Sequence, residues 1–468
     1  MHIQFIGAAQ TVTGSMHIVR TKHDTVLLDC GLYQGHRRES YERNSTLGVP
    51  VGEITAVILS HAHIDHSGAI PMLVKNGYEG PIYATPATRD LAAVMLLDSA
   101  RIQEADADYL TRQARKERID VAPLPPLYVE KDALRAIGLF HSVPYGFRTW
   151  LSPHTSFTFL DAGHVLGSAI TLLDLEEDGR KKRVAFTGDL GRLNMPILED
   201  PDVPDGVDVL VTESTYGDRL HDDIHKMEDD LAAVIKRTYD RGGKVIIPSF
   251  ALERAQEVVF ALKQLEMQGR LPRLLKVYVD SPLTVKITDV FKLHPECYDE
   301  ETLGLIAHGN SPFEFGALEY IESVEDSKEV SLSSDPAVII AASGMCEAGR
   351  VLHHLKACIE DARNTVLIVG YQAQHTLGRR LVENRDRVKI FGVERERRAE
   401  VVVLNGFSAH ADQRDLVNFA DQCRARGPVE RVALVHGDPK PQKILAGLLE
   451  DKGFAAPAIP KSRDTLEL

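Results

Sequence analysis

Short apolar runs, each closed by a polar or small residue, recur along the first part of the chain. Residues 3–6 and 16–20 read as strands joined by a small-residue segment. Val26-Leu27-Leu28 reads as a buried strand that ends in Asp29, Cys30 and the turn residue Gly31. Ala56-Val57-Ile58-Leu59-Ser60 is another, and it runs straight into His61-Ala62-His63-Ile64-Asp65-His66. Residues 35–50 are polar and are expected to form an exposed loop. The pattern predicts helices over 68–75 and 88–102, with a strand at 82–84 between them. Residues 103–126 turn charged and then proline-rich, an excursion from the core. Strands at 155–160, 169–175, 183–187 and 207–212 follow. His164, Asp189 and Glu213 stand at or just beyond the ends of three of them. That recurrence points to one convergent site.

From about 217 to 392 the pattern becomes an alternation of helices (226–241, 252–268, 349–360) and strands (245–248, 277–279, 338–342, 365–369). Such alternation predicts an open α/β sheet that binds at its strand carboxyl ends. Beyond residue 392 the chain goes back to the pattern of its first part. Phe407-Ser408-Ala409-His410-Ala411-Asp412 precedes a helix, and a strand at 432–435 ends at His436-Gly437-Asp438.

The histidine cluster carries the chemistry. His61 and His63 are two apart, so a helix would point them to different sides, whereas a strand end or tight loop can aim them at one point. Asp65 and His66 can serve a second point nearby. Imidazole and carboxylate suit zinc or a similar divalent ion, and a catalytic site leaves a position open for water.

The 468 residues suggest two to four domains. A net charge of −14 argues against broad, non-specific binding to nucleic acid or anionic lipid, though a local basic groove stays open. The 5 cysteines are dispersed, with no CxxC, which suits a reducing cytosol. No secretory signal is recognisable at the first residues, and no apolar run approaches the ~18 residues of a membrane helix. The expectation is a cytoplasmic protein without a membrane segment.

Taken together, these motifs resemble the metallo-β-lactamase superfamily, and within it the β-CASP nuclease branch, over nearly the whole chain. The superfamily marks are Asp29, His61-x-His63-x-Asp65-His66, His164 in Asp-Ala-Gly-His-Val-Leu-Gly-Ser-Ala, and Asp189 in Gly-Asp-Leu-Gly-Arg. The branch marks are Glu213, His410 in Phe-Ser-Ala-His-Ala-Asp, and His436 in Val-His-Gly-Asp. The chain looks most like the RNA-cleaving members, the group of the endonuclease of pre-mRNA 3′-end cleavage and its prokaryotic homologues. The DNA-repair relatives usually carry a valine where this chain has His436.

The resemblance implies an α/β fold: an αββα metallo-β-lactamase sandwich with an inserted α/β β-CASP domain. Its parts would be 1–212, the insert 213–392, and 393–468, with the active site in the cleft between domains. His61, His63 and His164 would hold one Zn2+ ion, Asp65, His66 and His436 a second, and Asp189 would bridge them. Asp29 would orient a ligand or water, although a strand-end capping acid is the plainer alternative. His410 would be the general acid and Glu213 its holder; a helix-entry residue is the alternative for His410.

Ser343 and Gly344 could receive an RNA phosphate or form a plain turn. Arg350, Arg379, Arg380 and Lys286 are candidates for a local basic groove. Tyr371 and Phe250 could stack on bases, core packing being the plainer role for Phe250. His353 and His354 read as helix-surface residues and His375 as part of a polar turn. The implied activity is zinc-dependent, endonucleolytic hydrolysis of phosphodiester bonds in single-stranded RNA. The alternatives are a 5′→3′ exoribonuclease and a small ester or thioester hydrolase. RNA is the expected partner, with a homodimer and an accessory RNA-binding protein left open.

Overall fold

The computed structural model describes residues 1–35, 37–117, 124–222, 226–373 and 375–468. The chain divides into two compact units. The first takes Met1–Asn194, Asp200–Leu220 and His410–Leu468, and the second takes Met195–Glu199 and His221–Ala409.

Unit one is built on two sheets. One has seven strands: β1 (His2–Gly7), β2 (Met16–Arg20), β3 (Thr25–Leu28), β4 (Ala56–Ile58), β5 (Ile82–Ala84), β6 (Phe140–Ser142) and β21 (Thr465–Glu467), which closes the β1 edge. The other has six strands: β7 (Thr149–Ser152), β8 (Thr155–Asp161), β9 (Ala169–Glu177), β10 (Arg180–Phe186), β11 (Val209–Glu213) and β20 (Arg431–Val435). Alternate residues of each strand face the other sheet, as the two-residue period requires. Ile3, Phe5, Val19, Val26, Leu28 and Ile58 thus meet Phe157, Phe159, Leu173, Phe186, Val209 and Val435 in one core. The outer face of the six-stranded sheet buries Leu172, Ala185, Leu210 and Leu434 under the helices Gln413–Ala425 and Pro439–Asp451. This is the αββα sandwich expected from the sequence. The parallel runs β3–β4–β5 and β10–β11–β20 bring strand carboxyl ends to the same edge of each sheet.

Unit two is an open sheet in the order β14-β13-β15-β12-β16-β19, parallel throughout. Its strands are β12 (Val245–Pro248), β13 (Lys276–Val279), β14 (Leu318–Tyr320), β15 (Ala337–Ala341), β16 (Thr365–Ile368) and β19 (Glu400–Val403). A separate hairpin joins β17 (Arg387–Ile390) to β18 (Val393–Glu396). No helix among the described residues is long and apolar enough to cross a membrane.

Three local expectations change. The expected joins at 213 and 393 move to 221 and 410. Ser214 and Thr215 are tied to Val435 and His436, which keeps them in unit one, and β19 pairs with β16, which puts 400–403 in unit two. The polar stretch 35–50 contains a helix, Arg37–Asn44, whose last residue clamps both backbone groups of Tyr33. The helix expected over 88–102 runs Pro86–Glu117, because alanine, arginine and glutamate sustain it well into the charged stretch. The rest of that excursion includes residues 118–123, which lie outside the described residues.

Candidate metal and catalytic centre

The site is assembled at the strand carboxyl ends of unit one. His61, His63, His164 and Asp189 bring one ligand atom each within 4.8 Å of one another. Asp65, His66 and His436 form a second such group, and Asp189, Glu213 and His410 a third. The strand β4 ends before Leu59, and the short helix Ile64–Ser67 starts three residues past His61. That turn is what lets His61 and His63 converge. Close approach between loops depends on two glycines. A Cβ on Gly31 would lie 1.7 Å from the Asp65 carbonyl oxygen, and one on Gly191 would lie 1.9 Å from that of Gly163.

Asp189 sits between the first two groups. Its Oδ2 lies 3.7 Å from His61 Nε2, 3.6 Å from His164 Nε2 and 3.3 Å from His66 Nε2. Its Oδ1 lies 3.3 Å from His436 Nδ1. His61 Nε2 and His63 Nδ1 are 3.0 Å apart, and His66 Nε2 and His436 Nε2 are 3.2 Å apart. Nitrogens bound at about 2.0–2.1 Å to one tetrahedral ion sit roughly 3.3 Å from each other. Neither ring nitrogen of buried His164, nor Asp189 Oδ1, has a hydrogen-bond partner among the described residues. Buried polar atoms are seldom left so, and a divalent ion would satisfy them. The donor set therefore fits metal.

In the first group the electrostatics favour ligands over acids. Burial, with help from neighbouring imidazoles, holds His61 and His164 well below the ordinary histidine pKa. Burial pushes His63 down to about 4. Neutral imidazoles are what a metal ligates. Burial opposes ionisation of Asp189, but the imidazoles of His436 and His66 outweigh it and keep the carboxyl well below its usual range.

Two hydroxyl residues that the sequence did not single out complete the arrangement. Asp29, fully buried, accepts from His66 Nδ1 at 2.7 Å, from Ser60 N at 2.8 Å and from Ser60 Oγ at 3.1 Å. Because Ser60 Oγ gives its proton to Asp29, it accepts from His61 Nδ1 at 3.1 Å. One carboxylate thus fixes two rings with Nε2 turned inward. Thr215 Oγ1 donates to the His436 carbonyl and lies 3.2 Å from His436 Nδ1, which fixes a third. The only sequence signal for either was adjacency, Ser60 before His61 and Thr215 two residues after Glu213. Asp29 and His436 both take a positive φ (57° and 48°), where non-glycine residues are strained.

Glu213 ends β11 and is fully buried. Its Oε1 accepts from Leu190 N at 2.8 Å and from His410 Nδ1 at 3.0 Å. Burial works against a charged His410, but Glu213 and Asp189 outweigh it and raise its pKa to about 9.

The weaker candidates separate. Ser343 and Gly344 lie at the carboxyl end of β15 in unit two, and Ser343 Oγ is committed to its own loop through Glu347 N and Ala348 N. His354 is fully buried rather than on a helix surface, and bonds Asp280 at 2.6 Å. Three of the four cations offered for a basic groove are engaged elsewhere. Arg350 clamps Asp280 and the Glu322 carbonyl, Arg379 pairs with Glu383, and Arg380 donates to the His375 carbonyl. Phe250 is 37% exposed and Tyr371 51% exposed, so Phe250 is not a core residue.

A two-sheet sandwich with this buried imidazole–carboxylate set defines a metallo-hydrolase. Family models agree: the metallo-beta-lactamase superfamily matches residues 10–227, the Beta-Casp domain 255–381, and the Zn-dependent metallo-hydrolase RNA specificity domain 394–459. The chain belongs to the β-CASP branch of the metallo-β-lactamase superfamily and is a metal-dependent hydrolase acting on RNA. It is similar to Ribonuclease TTHA0252 of Thermus thermophilus, 35% identical over 97% of each chain. It is also similar to Transcription termination factor FttA of Methanosarcina mazei, 33% identical over 94% of this chain and 67% of that one. A solved structure of a protein of unknown function from Enterococcus faecalis V583 shares the fold, with TM-score 0.55, 13% identity, and 100% and 99% of the two chains covered.

Proposed function

We propose that the chain is a two-zinc ribonuclease that cuts phosphodiester bonds of single-stranded RNA endonucleolytically. The observation that carries this is Asp189, whose carboxylate touches histidines of both metal-ligand groups. His61, His63 and His164 would hold one ion, Asp65, His66 and His436 the other, and Asp189 would bridge. Bound there, the ions supply Lewis-acid charge that activates water and offsets charge on the scissile phosphate. His410, whose charged form Glu213 favours, would give its proton to the leaving ribose oxygen. Glu213 aims that ring and holds the Leu190 amide with the same oxygen. Asp29 fixes His66 directly and His61 through Ser60.

The amides of Gly344 and Met345 have no acceptor among the described residues and are proposed to receive an RNA phosphate. The relatives' names, a ribonuclease and termination factors, support RNA as substrate. The 5 free, buried cysteines fit a reducing cytoplasm. The net charge of −14 leaves RNA recruitment to local contacts, to an accessory RNA-binding protein, or to a second copy.

The test is zinc-loaded protein with a labelled circular single-stranded RNA, beside His410→Ala. Cutting of the circle by the wild type, and a kcat about 10²–10⁴-fold lower in the variant, is the expected result. Loss of 5′-labelled linear RNA as mononucleotides, with the circle intact, would move the assignment to a 5′→3′ exonuclease. Turnover of a small thioester with both RNAs intact would move it to a small-ester hydrolase.

A further inference from the structure

The sheet of unit two has one place where its topology opens a crevice. From β12 the chain crosses through the helix Arg254–Met267 to β13, two positions to one side. From β15 it crosses through the helix Val351–Cys358 to β16, two positions to the other side. Right-handed crossovers put those helices on opposite faces. Since β12 and β15 are neighbours, with Pro248 opposite Ala341, the loops at their carboxyl ends part from each other there. Open parallel sheets bind ligands at such a switch point.

Phe250 stands in this place, two residues past the end of β12. Its Cδ2–Cε2 side rests on bare backbone. A Cβ on Gly344 would come within 2.8 Å of Phe250 Cδ2, and one on Gly370 within 3.5 Å of Cε2. Gln372 braces both glycines, its Nε2 donating to the Gly344 and Gly370 carbonyls. The two glycine loops thus fix one side of the ring, while 37% of the residue remains exposed. An aromatic held along one edge by backbone and still 37% exposed is incompletely used by packing, since an apolar side chain gains by complete burial. The amides of Gly344 and Met345, in the adjoining loop, have no acceptor among the described residues. A partly exposed aromatic beside N–H groups without an acceptor among the described residues matches a nucleotide, base against ring and phosphate against amides.

We propose that Phe250 is a base-stacking platform of the RNA subsite on unit two. The proposal rests on the ribonuclease reading for its ligand. Stacking accepts every base, so the platform selects unpaired nucleotides over duplex without reading sequence. Phe250 is a substrate-positioning residue, and its contribution falls on binding.

The test is a chemical double-mutant cycle on the metal-loaded protein. A short single-stranded RNA is compared with a set in which each position in turn is abasic. Binding is read by fluorescence anisotropy and cleavage separately. Wild type is expected to bind the RNA abasic at one position roughly 5- to 100-fold more weakly than the intact RNA. Phe250→Leu, which keeps the contact with the glycines and loses the ring, should bind both RNAs alike. Phe250→Tyr should restore the difference.

Equal losses on intact and abasic RNA in Phe250→Leu would assign the residue to packing and overturn the platform. So would a wild type indifferent to abasic sites at every position, a result that needs no variant to fold. Binding with the base preference but without cleavage would leave the platform standing and remove the ribonuclease reading. Cleavage without the preference would do the reverse, and failure to bind any RNA would remove both.

Discussion

Asp29 meets no substrate in the proposed scheme, yet it sets two of the ligand rings. Its carboxylate accepts from His66 and, through Ser60, from His61. Asp29→Asn keeps the shape and loses the charge, so its zinc affinity should fall about 10- to 100-fold. Competition with a chromophoric chelator measures this, and an unchanged affinity would remove Asp29 from the site. At His410 the sign is different. The pKa raised to about 9 means the acid form is present below that value and is lost as pH rises through it. Glu213→Gln removes the largest of the raising influences, so the alkaline limb of the kcat profile should move to lower pH.

His17 is fully buried between the edges of Phe5 and Phe186, with neither ring nitrogen partnered among the described residues. Burial pushes its pKa down to about 3. An unfolded histidine titrates near 6.5. Between pH 7 and 5 the unfolded chain therefore takes up a proton that the folded chain refuses, which costs about 2 kcal/mol of stability. His17→Leu should lack this loss. Urea unfolding of both proteins at the two pH values reads it as a widening gap in favour of the variant at pH 5.

At the scale of elements, the site depends on loops pressed together without side chains between them. Gly191→Ala would set a methyl 1.9 Å from the Gly163 carbonyl oxygen, one residue from His164. The two loops must separate, at a cost of about 1–3 kcal/mol. Thermal unfolding and bound-metal content should fall together. The sequence marks this region well. Histidines and carboxylates are few enough that a dense cluster at a strand end stands out, and the strands delivering His164, Asp189, Glu213 and His436 are all apolar runs.

Ser60 and Thr215 stay hidden because a hydroxyl beside a ligand looks like any strand-end polar residue. His354 looks like a surface residue by type, yet its spacing carries the contrary signal. It shares the helical face of Val351, Leu355 and Cys358, all buried. The strand β19 falls in unit two rather than unit one, since a run of valines announces a strand but not which sheet it will join. Charged residues also hide the hairpin β17–β18, where Val388 and Ile390 alone face inward.

At the scale of the whole molecule, a net charge of −14 bounds how RNA can be held. Few phosphates should then be contacted, each contributing a slope of about −0.7 in log affinity against log salt for single strands. A total slope of roughly −1 to −3 is expected from titrations between low and moderate salt. A slope near zero would contradict phosphate-led binding.

The order in which the site is delivered by the chain has a consequence during synthesis. His61, His63, His164 and Asp189 are all present once residue 189 has been made, whereas His410 and His436 come only after the whole of unit two. On the proposed assignments, a growing or prematurely ended chain would hold one complete ligand group but neither the second nor the proposed proton donor. On those assignments the messenger would not be cut by its own nascent product until His436, just past β20, is supplied, and unit two would act as a delay written into the reading frame.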